Sequence, residues 1–125
     1  MFLSSTPQWY LLWYHNQVID VRQYVDPLGR IPFDRWFEKL DNDTQARITV
    51  ALDRLERGNF STVKGVGAGV FELRLDFGPG YRIYFGKDGE QIVILLVGGT
   101  KRRQQIDIVT ACALWKEYKQ RKREE

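Results

Sequence analysis

The chain of 125 residues is long enough for one folded domain and too short for two. Its 43% hydrophobic and 28% charged residues exclude a disordered composition, and 14% aromatic residues supply large rings for a core. A net charge of +3 points toward acidic partners such as nucleic acid, while a single Cys and a single His exclude an internal disulfide and a zinc site built from those residues.

The charge is uneven. From Lys101 onward eight Lys and Arg stand against four acids, so this stretch alone is more positive than the whole chain. No apolar run approaches the ~20 residues of a membrane helix, and Trp9–Tyr14 is too short for a leader. The expectation is a soluble, cytoplasmic protein with no membrane attachment.

Residues 1–17 read as an appendage carrying Trp9, Tyr10, Trp13 and Tyr14. Residues 18–25 are rich in β-branched side chains and predict a strand, closed by the turn Asp26-Pro27-Leu28-Gly29. Pro32 suits the first turn of a helix with Phe33, Trp36, Phe37 and Leu40 on one face. Asp41 or Asp43 caps a second helix carrying Ile48, Ala51, Leu52 and Leu55, ended by Gly58. Lys64-Gly65-Val66-Gly67-Ala68-Gly69 reads as a flexible loop. It is not a dinucleotide fingerprint, because no strand precedes it and no helix follows.

Residues 70–77 alternate cleanly, and Gly78-Pro79-Gly80 turns the chain into a second alternating strand over 81–85. Asp88-Gly89 signals a two-residue hairpin. Residues 91–97 are almost wholly aliphatic, as a strand buried on both faces is, and Gly98-Gly99 breaks them. A last helix follows from about Gln104 to Lys119 with Ile106, Val109, Ala113 and Trp115 as its apolar positions and Cys112 as a small buried hydrophobe. Residues 119–125 read as a solvated basic tail. The fold class is α+β: a small, mostly antiparallel sheet in the order β-α-α-β-β-β-α, with the two N-terminal helices packed on one face and a C-terminal helix.

If Gly78, Pro79 and Gly80 form the loop, Phe77 opposes Tyr81, Asp76 opposes Arg82 and Arg74 opposes Tyr84. A one-residue slip would turn an apolar row out of the core, so parity is fixed. Glu72, Arg74, Asp76, Arg82 and Tyr84 then share one face of a hairpin. The last strand delivers Lys101 and Arg102 beside it, and Lys64 approaches from the glycine-rich loop. The expected result is a cationic cup of Lys64, Arg74, Arg82 and Lys101 with Tyr84 in its wall. Arg matches bidentate phosphate contact, and cations aimed at developing charge are strong catalytic devices. Such a cup suits RNA cleavage by the 2′-OH, with Tyr84 stacking a base or moving a proton and with neither metal nor cofactor required. The competing reading is a wet sheet face with surface ion pairs Glu72–Arg74 and Asp76–Arg82. On the Arg82/Tyr84 side the last strand is expected to present Val93, Leu95 and Val97. Ile106 and Trp115 of the final helix cover them, or else they form an apolar dock for a partner.

Phe33-x-x-Trp36, Arg54-Leu55-x-x-Gly58-Asn59-Phe60, Lys64-x-Val66-Gly67-x-Gly69-Val70-x-Glu72-Leu73-Arg74, Phe77-Gly78-Pro79-Gly80-Tyr81-Arg82-x-Tyr84-Phe85 and Gly98-Gly99-x-Lys101…Gln104-x-x-Asp107-Ile108 occur in order along residues 18–118. Together they resemble the addiction-module killer proteins, a HigB-like branch of the RelE/ParE-type toxins. The resemblance implies the toxin half of a type II toxin–antitoxin system, an endoribonuclease that cuts mRNA on the ribosome. It further implies a cognate antitoxin with a helix-turn-helix domain, and operator DNA bound only through that complex. Catalytic roles fall on Arg74, Arg82, Lys101 and Tyr84, and RNA contacts on Lys64, Arg102 and Arg103. Two positions depart from relatives: Asp107-Ile108-Val109 holds no Tyr where some relatives stack one on the base, and Glu72 stands where some carry Lys. The alternatives are a ParE-like gyrase inhibitor without nuclease activity, or a nucleic-acid-binding module without catalysis. Arg82 is expected to be a surface residue whose removal costs little stability.

Overall fold

A computed structural model describes residues 19–125; the expected appendage over residues 1–17 lies outside the described residues. The elements are β1 (Asp20–Gln23), α1 (Pro32–Phe37), α2 (Asn42–Glu56), β2 (Val63–Gly67), β3 (Val70–Leu75), β4 (Tyr81–Asp88), β5 (Ile92–Thr100), a 3-10 turn (Lys101–Arg103) and α3 (Gln104–Arg123). The α+β expectation holds. One five-stranded sheet runs in the order β1-β5-β4-β3-β2, antiparallel throughout except for β1, which lies parallel to β5.

Local chemistry sets the helix ends. Pro32 opens α1, where its missing N–H costs nothing. Asp41 caps α2 by accepting from the Thr44 amide at 2.8 Å, and Gly58 takes φ +87° just past its end. These helices cover one face of the sheet, burying Phe33, Ile48 and Leu55 against Leu73, Leu75, Ile83, Phe85, Val93 and Leu95. Helix α3 covers the other face, where Ala111 and Trp115 pack on Val70, Tyr84, Ile94 and Leu96, with Cys112 half-buried beside them.

Sequence expectations are corrected in four parts of the fold. The glycine-rich loop is strand β2, with Lys64 opposite Glu72. Glycines carry full backbone pairing capacity, and Ala68-Gly69 closes the hairpin with positive φ at both residues, +54° and +81°. The β3–β4 register is displaced by two residues: Leu75 pairs with Tyr81, Arg74 with Arg82 and Glu72 with Tyr84. Parity is kept, as the apolar row demands, but Asp76 and Phe77 join the loop, where the Gly80 amide donates to the Phe77 carbonyl at 2.9 Å. The β4–β5 hairpin likewise turns through Gly89–Gln91, since Asp88 pairs with Ile92.

The third correction is a bulge on β5. Tyr84 pairs with Val97 and Phe85 with Leu95, which leaves Leu96 as the extra residue. Its effect is to exchange faces, so Val93 and Leu95 go to the α1–α2 side, and Ile94 and Leu96 to the Tyr84 side. Trp115 does cover the Tyr84 side, but Ile106 and Val109 are 58% and 70% exposed. Gly98-Gly99 does not break β5, which continues to Thr100. A Cβ on Gly98 would stand 2.3 Å from Trp36, so that glycine makes room for an indole against the sheet.

The fourth concerns the tail: residues 119–125 are exposed, as expected, but helical as far as Arg123. The end of α3 is tied down: Arg121 Nη1 donates to the Val25 carbonyl at 2.8 Å, Tyr118 donates to Asp88 at 2.6 Å, and Lys122 pairs with Asp88. Among the described residues no helix is long and apolar enough to cross a membrane.

Candidate nucleic-acid cleft

The register places Arg74 directly across from Arg82, and the β5 pairing places Gly99 on the other side of Arg82. Lys101 follows immediately after β5. Its amide donates to the Gly80 carbonyl at 2.7 Å, and Arg82 Nη1 donates to the same carbonyl at 3.1 Å. One backbone oxygen thus ties the β3–β4 loop, the arginine and the lysine together. Gly80 has φ +79°, and a Cβ there would lie 3.3 Å from both Arg82 Nη1 and Lys101 Cβ, so glycine is required for this approach.

The result is a cleft of about 480 Å³ lined by Arg74, Arg82 and Lys101 together with Asp76 and the loop Phe77–Gly80. The three cations are not equivalent. Arg74 is exposed and lies 3.6 Å from Asp76, whereas Arg82 is only 6% exposed, the correction to its expected surface position. Its Nε lies 3.5 Å from Oε1 of Glu72, which is wholly buried. Glu72 also accepts from Gln104 Nε2 at 2.7 Å and from the Tyr84 hydroxyl at 3.3 Å, and Lys64 Nζ stands 3.9 Å from its second oxygen. The expected pairs Glu72–Arg74 and Asp76–Arg82 are not formed: the two-residue difference in register sets Arg82 beside Glu72, and Arg74 pairs with Asp76 two residues on.

Tyr84 does not form a wall of the cleft. It is fully buried, and desolvation together with the Glu72 charge holds its hydroxyl well above the ordinary phenol range. It cannot stack on a base; it supports Glu72 from below. Lys64 sits on β2 with its ammonium turned to Glu72, and Arg102 and Arg103 are exposed in the 3-10 turn, so none of these lines the cleft itself. Asp107, on the first turn of α3, points its buried Oδ2 at Gly99, where a Cβ would lie 1.9 Å away. Burial raises its pKa, opposed by Arg103 at 3.9 Å.

Alternation alone does not single out Glu72 as the hub of this cluster. Glu72 shares its alternating row with Val70, Arg74 and Asp76, a mostly charged row that reads as solvent-facing, so the strand pattern carries no signal of its burial. Asp76 is the one carboxylate among the residues lining the cleft, where the sequence pattern offers it only as an ion-pair partner.

Residues 35–111 match the family described as phage-derived protein Gp49-like. An uncharacterised protein of Haemophilus influenzae is 44% identical over 88 residues, which span 70% of this chain and 89% of that protein. The chain belongs to the Gp49-like family, which is toxin-like in kind.

Proposed function

We propose that this protein is the toxin of a toxin–antitoxin pair, of the RelE/HigB-like kind, and that it cuts mRNA on the ribosome through attack of the 2′-OH on the adjacent phosphorus. The observation that carries this reading is the convergence of Arg74, Arg82 and Lys101 on one cleft. Arg82, fixed between Glu72 and the Gly80 carbonyl, holds the scissile phosphate, and its immobility means little reorganisation as charge develops. Arg74 neutralises the phosphorane from the opposite strand. Lys101 donates the proton to the leaving 5′-oxygen. Asp76 takes the proton from the 2′-OH, a role its place in the cleft allows and that buried Tyr84 cannot fill. Arg102, Arg103 and Lys64 add positive potential around the entrance. A cognate antitoxin with a helix-turn-helix domain neutralises the toxin and carries the complex to operator DNA.

The test is induced expression of wild type, Arg74→Ala, Lys101→Ala and Arg82→Lys, with mapping of mRNA 5′ ends. New 5′ ends with wild type, strongly reduced in all three variants, are the expected result. Growth arrest without new ends would overturn cleavage in favour of a gyrase-directed, ParE-like toxin. Salt-sensitive RNA binding without cuts would leave a binding module.

A further inference from the structure

A second concavity of about 430 Å³ lies between helix α2 and strand β3. Arg47 and Arg54 line one wall, Asn59 and Thr62 line another, and Arg74, Asp76 and Phe77 are shared with the cleft already described. The two concavities therefore adjoin at Arg74, Asp76 and Phe77. Arg47 and Arg54 are seven residues apart and share a helix face, a spacing of about 10 Å along the axis, or roughly three stacked nucleotides at ~3.4 Å each. The Arg47 guanidinium lies 5.1 Å from the centre of the Phe77 ring, and Val50 beside it is 49% exposed, so the groove offers a stacking surface as well as charge. Asn59 and Thr62 add hydrogen-bonding groups suited to base edges. Arg47 is paired with Asp43 at 3.1 Å, while among the described residues no carboxylate pairs with Arg54.

We propose that this groove binds the single-stranded RNA flanking the cut site, with Arg54 and Arg74 on successive phosphates and the Arg47–Phe77 pair beneath a base. The inference rests on the ribonuclease reading, and it assigns a substrate path to a surface outside the cleavage cleft. It makes affinity depend on RNA length: a dinucleotide fills the cleft alone, and a hexanucleotide reaches the groove.

The experiment measures binding of fluorescent 2′-O-methyl dinucleotide and hexanucleotide, which resist 2′-OH cleavage, to wild type, Arg54→Ala and Arg57→Ala. Arg57 is the residue that caps the C-terminus of the same helix, outside the groove, paired with Asp53. The expected result is a gain from dinucleotide to hexanucleotide that shrinks about fivefold in Arg54→Ala, with a shallower salt dependence, and stays intact in Arg57→Ala. No gain in wild type, or the same gain in Arg54→Ala, overturns the proposal. So does Arg54-dependent binding of an oligo-glutamate peptide with RNA binding indifferent to Arg54, which would make the groove a seat for an acidic polypeptide. An Arg54-dependent gain in a protein that makes no cuts in mRNA upholds the groove and removes the nuclease reading. Cuts with an Arg54-independent gain do the reverse.

Discussion

Arg82 and Glu72 are diagonal neighbours on adjacent strands, with Nε and Oε1 3.5 Å apart and both side chains withdrawn from solvent. The phosphate-binding arginine of the proposed mechanism is thus also half of a buried ion pair. Activity and stability are coupled at this position, which shapes how its variants must be interpreted.

Arg82→Ala leaves Glu72 buried with a hydrogen bond from Gln104 but without its closest cation. We expect a loss of about 3 kcal/mol in unfolding free energy, against less than about 1 kcal/mol for the exposed Arg74→Ala. Urea unfolding of the two variants side by side checks this. Equal, small losses would mean the Arg82–Glu72 contact holds little of the fold.

Gly80→Ala separates geometry from charge, because it removes no cation. The methyl group meets Arg82 Nη1 and Lys101 Cβ at 3.3 Å in a left-handed backbone conformation. The expected cost is about 1–2 kcal/mol in stability, together with at least a tenfold fall in RNA cleavage as the two cations are pushed apart. Thermal melting and a cleavage assay on one preparation measure both, and full activity in the variant would contradict the role given to the Gly80 carbonyl.

Asp107 gives the protein a pH signature. Desolvation raises its pKa in the folded state, so the folded form holds this proton more tightly than the unfolded form. The contribution to stability is therefore full below the ordinary carboxylate pKa of 3.8 and is lost as pH rises through the raised value. Asp107→Asn removes the buried charge and should melt higher than wild type at neutral pH, with the difference closing toward pH 3.8. Melting curves across that range decide it; a variant that melts lower at neutral pH would show that the Arg103 contact outweighs the burial.

Ending the chain at Lys119 deletes Arg121 and Lys122, which anchor α3 to Val25 and Asp88. A lower melting temperature is expected, with faster amide exchange in Tyr24 and the β4–β5 turn. Unchanged exchange there would mean these contacts contribute nothing to holding the helix.

The period-2 pattern of residues 70–85 was enough to place Arg74 and Arg82 on one face, since a single-residue slip would have exposed Leu73 and Ile83. The caps and breakers at Pro32, Asp41 and Gly58 located both N-terminal helices for equally local reasons. Which residue faces which was not local. The two-residue shift came from Asp76 and Phe77 entering the loop, and the β5 bulge that exchanged Val93 and Leu95 with Ile94 and Leu96 answers to packing on both sides of the sheet. Burial was decided later still. Arg82, Glu72 and Tyr84 alternate as a solvent-facing row would, and only the packing of α3 across that face withdrew them from water. The groove beside Arg54 likewise exists only because α2 settles next to β3. Alternation is written in neighbouring residues, but depth depends on what the rest of the chain lays on top.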